Sequence, residues 1–269
     1  MKFVLPNVEF IEQQPGIDGI YQAIANAARI CYASERKDKI QELIDRLISS
    51  KHFRPLEFGT VYLTINVNEI SVWNFYTKNP YSRVLFDDKY VYITTNYRVL
   101  VENDLLDHLK YLTDFVPYKH AYRMTLHWTI SRGIADEFRT HTSISTLMQS
   151  TRYCCYAKDK FNNQIQIVQP VWFNEKESFQ EEYIRSIEQA EKAYISLCNE
   201  GMPAEFARGI LPLDIKTECI QCGFMTDWDS FFNQRYYGTT GKPHPDAKYI
   251  SEKAIKIYNN KFKETVRNV

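Results

Sequence analysis

The stretch "DEFRTHTSISTLMQSTRYCCY", Asp136 to Tyr156, sets Arg139, His141 and Arg152 among a dense run of serines, threonines and two tyrosines. A surface loop rich in Ser and Thr is one reading. The other is a ligand site, because hydroxyls donate hydrogen bonds and arginine presents its donors in a planar fork. The rest of the chain decides between them.

Working outward, "RMTLHWTISRGIADEF" (residues 123–138) is apolar enough for a central helix or strand. "NQIQIVQP" (163–170) resembles a strand that ends at Pro170, and "TVYLTINV" (60–67) alternates like a half-buried strand. "DKIQELIDRLISS" (38–50) has helical spacing, with Ile40, Leu43, Ile44 and Leu47 on one face. "EEYIRSIEQAEKAYISLCNEG" (181–201) is the clearest amphipathic helix, stopped by Gly201 and Pro203. "DSFFNQRYY" (229–237) and "PDAKYISEKAIKIYNNKFKE" (245–264) predict two more helices. The chain reads as α/β (α+β) with helices in the majority. No linker or repeat divides it, so a single domain over residues 1–269 is expected.

Composition excludes several classes. The 269 residues are 44% hydrophobic and 14% aromatic, which fits a folded chain with a substantial core. Basic and acidic residues balance at 33 each, without the basic excess of a dedicated nucleic-acid binder. No apolar run approaches the roughly 20 residues of a membrane span. "MKFVLPNVEFIEQQPG" is broken by Pro6 and Glu9 and does not read as a signal peptide. A soluble, cytoplasmic protein is expected. Only nine glycines are present, and neither common Gly-rich phosphate loop occurs.

The six cysteines include Cys219 and Cys222 as a CxxC and the adjacent Cys154 and Cys155. Zinc would want a second pair at ligand spacing or a matching His pair, and neither is present. "KTECIQCGFM" (216–225) looks like a strand or buried helix, so structural, reduced cysteines and no metal are expected.

Three arginines lie in apolar or aromatic settings: Arg152 in "QSTRYCCY", Arg208 in "EFARGILPLD" and Arg235 in "SFFNQRYYG". A buried or half-buried Arg is costly unless paired. Each alone suits a salt bridge to an Asp or Glu. Together, with Ser, Thr and Asn donors beside them, they suit a planar anionic ligand such as a nucleotide, whose phosphate or imide edge the guanidinium fork matches bidentately.

These residues resemble the flavin-dependent thymidylate synthase family, whose signature is Arg-His-Arg, seven residues, Ser, one residue, Arg. Here that pattern reads Thr140-His141-Thr142, "SISTLMQ", then Ser150, Thr151 and Arg152. "AARICYASE", "RPLEFGTVYLTI", "NYRVLVEN", "RGIADEF", "STRYCCYAKDKFNNQIQIVQP", "ARGILPLDIKTE" and "DWDSFFNQRYYGTTGKPHPDA" look like family segments in the family's order.

The resemblance implies a mixed α/β subunit with an antiparallel sheet flanked by helices, in a homotetramer with active sites where subunits meet. It implies FAD as cofactor, deoxyuridine monophosphate (dUMP) and methylenetetrahydrofolate as substrates, NADPH as reductant, and thymidylate as product, with no membrane or nucleic-acid partner. Ser150 and Arg152 match the phosphate-binding residues, and Arg208 matches a second nucleotide arginine. Arg235 matches the arginine that meets the uracil ring, and Glu137 is placed with the substrate residues. Thr60, Thr140, His141, Thr142 and His244 fall in the flavin region.

Three departures stand out. Thr140 and Thr142 replace both arginines of the triplet, Leu147-Met148 replace Asn-Glu (or Ala-Gln), and Phe58 replaces the histidine of Leu-Glu-His. A threonine donates a hydrogen bond but cannot neutralise a diphosphate; Arg139 lies one place early. Two readings follow. One is a divergent flavin-dependent synthase. The other is a relative that kept the nucleotide site and changed its chemistry, for example to hydroxymethylation of a pyrimidine monophosphate, or lost catalysis.

Overall fold

The computed structural model describes residues 1–33 and 39–266; Ser34 and Glu35 of the "AARICYASE" segment and Asp38 of the "DKIQELIDRLISS" segment lie outside them. Its strands are β1 (Lys2–Val4), β2 (Asn7–Ile11), β3 (Thr60–Asn66), β4 (Arg83–Phe86), β5 (Tyr90–Asn96), β6 (Arg123–Ser131), β7 (Ser145–Met148), β8 (Gln166–Val168) and β9 (Lys216–Phe224). Its helices are α1 (Gly16–Tyr32), α2 (Ile40–Ser49), α3 (Ile70–Lys78), α4 (Tyr97–Glu102), α5 (Arg132–Phe138), α6 (Glu177–Asn199), α7 (Ala204–Ala207), α8 (Met225–Phe232) and α9 (Pro245–Val266). No described helix is long and apolar enough to cross a membrane.

The ambiguous stretch 123–138 resolves into both alternatives. Residues 123–131 form β6 because Met124, Leu126, Trp128 and Ile130 alternate with polar residues, and all four are buried. The chain turns at Ser131, whose hydroxyl accepts the Ile134 N–H and caps α5. β6 is a central strand of an antiparallel sheet of order β2-β6-β9-β7, with Trp128 opposite Cys219. The Cys219–Cys222 CxxC therefore lies in a strand, and all six cysteines are free thiols. Burial pushes the Cys219 thiol far above its ordinary range, so it is not a thiolate nucleophile.

Each face of this sheet has its own helix layer. Trp128 and Cys219 pack with Phe138 of α5, Trp228 and Phe231 of α8, and Ile250 of α9. Ile220 and Cys222, on the opposite face, meet Ala27 of α1, Phe58 and Leu147. A second antiparallel sheet, β3-β5-β4, lays Val61, Leu63, Ile65, Val91 and Ile93 on the core formed with α1 and α2. Its other face carries Thr60, Tyr62, Thr94 and Arg83, because register pairs Tyr62 with Thr94 and Thr94 with Arg83. The fold is thus the mixed α/β arrangement of antiparallel sheets flanked by helices that the resemblance implies. One strand pair departs from it: β1 and β8 run parallel.

Candidate functional site

Two clusters of the expected residues lie at the two ends of β7. The first forms around Arg235. After α8 the chain widens into a π-helical turn, Asn233–Tyr237, closed by Gly238 at φ 72°, a conformation that favours glycine. This turn aims Arg235 back at the end of α5. Its Nε donates to His141 Nε2 (3.1 Å) and its Nη1 to Glu137 Oε2 (2.9 Å). Its Nη2 donates to the Glu137 carbonyl oxygen (2.8 Å) and to Thr140 Oγ1 (3.0 Å). The cation also meets the negative end of a helix, where a positive charge is favoured.

His141 is buried and tilts against the Phe231 ring. Burial first, and then the Arg235 charge, lower its pKa to about 4. It is therefore neutral near pH 7, with Nε2 as acceptor for Arg235. Thr142 is exposed beside it. Arg139 ends α5 rather than lying on a strand, and it pairs with Asp136 (3.2 Å).

The second cluster forms just beyond β7. The Ser150 N–H donates to the Cys31 carbonyl at the end of α1, and the Ser150 hydroxyl accepts the Arg152 N–H (3.2 Å). Arg152 pairs with Glu205 (3.2 Å) at α7, and Arg208 Nη1 donates to Thr151 Oγ1 (3.4 Å). Residues more than fifty positions apart in the chain are thereby brought together. The expectation that Arg152 and Arg208 are buried or half-buried is corrected: both are exposed, and Arg152 has the carboxylate partner of the salt-bridge reading. They follow a short edge strand and a four-residue helix, with little packed around them. Arg235 alone of the three is half-buried.

The remaining flavin-region residues are dispersed. Thr60 is buried; its hydroxyl accepts from Arg123 Nη1 (3.1 Å), and Gln13 bridges its backbone (2.8 Å on each side). His244 is exposed, and its Nδ1 accepts the Asp246 N–H (3.2 Å) at the start of α9. Phe58 and Leu147, two of the departures, pack in one apolar cluster with Ile220 and Cys222, so those replacements act together. Among the described residues no cluster of three His, Cys, Asp or Glu side chains suits a metal.

Sequence reasoning missed Glu205 beside Arg152 and Arg123 beside Thr60. Arg123 had one available signal, a charged residue opening an otherwise apolar strand. Glu205 had none, because its role comes from the approach of α7 to the loop after β7.

An antiparallel sheet between helix layers, with arginines and hydroxyls gathered at the ends of one edge strand, defines the class as a mixed α/β protein. The chain matches the model of the thymidylate synthase complementing protein family over residues 94–262, more than half its length, and it belongs to that family. It is also similar to a flavin-dependent thymidylate synthase of Synechocystis sp., with 28% identity over 153 residues, covering 52% of this chain and 67% of that protein.

Proposed function

We propose that the chain binds dUMP and transfers a one-carbon unit from methylenetetrahydrofolate to it, using FAD and NADPH, to give thymidylate. The observation that carries this reading is the convergence of Ser150, Arg152 and Arg208 around Thr151. A phosphate dianion suits two guanidinium groups and a hydroxyl, since one exposed pair contributes little. Glu205 supplies the carboxylate partner of Arg152 that a phosphate would replace.

Arg235 has the role of meeting the uracil ring. Among the described residues four of its five N–H donors are used, which leaves one on Nη1 for a carbonyl oxygen. One charge-assisted donor there stabilises the negative charge that develops as the ring is attacked. Glu137, Thr140 and neutral His141 orient it. The two clusters stand at opposite ends of a four-residue strand, roughly 10 Å long at about 3.4 Å per residue. This spacing supports a site completed by a second subunit, as in a homotetramer.

The surroundings of Thr140, His141 and Thr142 fit the ring system of a flavin better than its diphosphate. His141 packs on the Phe231 ring and is neutral near pH 7, and the motif positions hold no cation. FAD, when bound, supplies the reducing electrons; Thr60, Thr140, His141, Thr142 and His244 are the residues assigned to it. The second reading, altered chemistry such as hydroxymethylation on a retained nucleotide site, is favoured by one observation: Thr140 already serves Arg235.

The test is product analysis after incubating the protein with dUMP, methylenetetrahydrofolate, FAD and NADPH. Thymidylate supports the first reading. Hydroxymethyl-dUMP supports the second, and unchanged dUMP contradicts both catalytic readings.

A further inference from the structure

Behind the loop that holds Thr140 and Thr142 lie two guanidinium groups that the family pattern does not use. Arg83 opens β4 and Arg123 opens β6. Their guanidinium carbons sit over one ring, Phe224, at 4.6 and 5.6 Å from its centroid. Arg123 is buried and donates to Thr60 Oγ1 and to the Glu57 carbonyl (3.0 Å). Arg83 is half-buried and gives Nη1 to the carbonyls of Pro80 (3.1 Å) and Ser82 (3.0 Å). Its Nε and Nη2 have no partner among the described residues, and neither arginine is ion-paired with a carboxylate there.

Asp227 feels both charges and accepts the Phe224 N–H (2.9 Å) and the Ser143 hydroxyl. One carboxylate does not balance two cations. The same contacts tie the cluster to the loop: a Cβ on Gly223 would lie 3.1 Å from Ile144 Cγ1 and 3.4 Å from Asp227 Cβ. Arg83 also rises from the same sheet face as Thr60. Two like charges sharing a partly desolvated ring repel, and an anion beside them offsets both desolvation and repulsion.

We propose that Arg83 and Arg123 form an anion subsite that receives the diphosphate of the flavin dinucleotide, replacing in space the charges absent at positions 140 and 142. This rests on the flavin reading above. Arg123 is the fixed, buried member and Arg83 the accessible one. Aromatic contact with Phe224 holds both guanidinium planes in place.

The test compares FAD with riboflavin, which lacks phosphate, by fluorescence quenching on the intact protein and on Arg83→Ala and Arg83→Lys, with circular dichroism to verify folding. Arg83→Ala should weaken FAD about tenfold, the loss of one charge-assisted hydrogen-bonding group, and leave riboflavin unchanged. Arg83→Lys should recover part of the loss, and added salt should weaken FAD less in Arg83→Ala than in the unmodified protein. Equal FAD affinity in the folded Arg83→Ala variant overturns the subsite. If the unmodified protein binds neither flavin, the flavin reading fails, and calorimetry with inorganic pyrophosphate becomes the deciding measurement. Binding lost in Arg83→Ala then upholds the anion subsite, and no binding in the unmodified protein overturns it.

Discussion

Arg235 and Glu137 are joined twice, side chain to side chain at 2.9 Å and side chain to backbone at 2.8 Å, although 98 residues separate them. The double attachment holds the guanidinium plane and turns a fork into a single-donor device. An arginine free to swing would suit phosphate; a fixed one with one remaining N–H suits a carbonyl oxygen whose charge changes during reaction.

Arg235→Lys keeps the charge and loses the planar attachment to Glu137, His141 and Thr140. Turnover should fall more than dUMP affinity, because the contact strengthens only as the ring becomes electron-rich. Steady-state kinetics beside calorimetry checks this, and equal losses in both would assign Arg235 to holding the substrate.

His141 gives the fold a pH dependence. Its folded pKa of about 4 lies below the ordinary 6.5, so the unfolded chain binds the proton more readily. Its contribution is full above about pH 6.5 and is lost as pH falls toward 4, a change of roughly 3 kcal/mol at most. Thermal melts across that window should show a drop that His141→Asn diminishes. The same slope in both proteins would place the titrating group elsewhere.

Phe58 and Leu147 should behave as core residues. Phe58→Ala is expected to cost about 3–5 kcal/mol in urea unfolding. Phe58→His, which restores the family residue, should also destabilise, because a polar ring would enter an apolar cluster without a partner. A stable Phe58→His variant would mean that a polar partner lies within reach of position 58.

β3, β8 and the helices α2, α6 and α9 were legible because their signals are local. Alternation marks β3, and Gly201 with Pro203 marks the end of α6. The split of 123–138 into strand and helix was not legible, since an apolar run serves either element until Ser131 caps the turn. The candidate residues were legible as a list and not in their arrangement. Arg208 reaches the loop of Arg152 through Thr151, and the exposure of both arginines depends on α7, whose four residues carry no strong helical signal. The Arg83–Arg123 pair depends on two sheets meeting at Phe224, a tertiary fact with no sequence period.

Glu205 competes with any anion for Arg152. Glu205→Gln should tighten binding of dUMP severalfold, the scale of an exposed ion pair worth about 0–1 kcal/mol. Isothermal calorimetry at low salt measures it. A loss of affinity would instead make Glu205 a positioning residue that the nucleotide needs.

The most direct test of the account is dUMP binding by calorimetry to the unmodified protein, to Arg152→Ala and to Arg208→Ala, with uridine lacking phosphate as the comparison ligand. Removing one partner of a charged hydrogen bond to phosphate costs about 2–5 kcal/mol, so each variant should lose well over tenfold in dUMP affinity and little for the nucleoside. Folded variants that bind dUMP as tightly as the unmodified protein would contradict it.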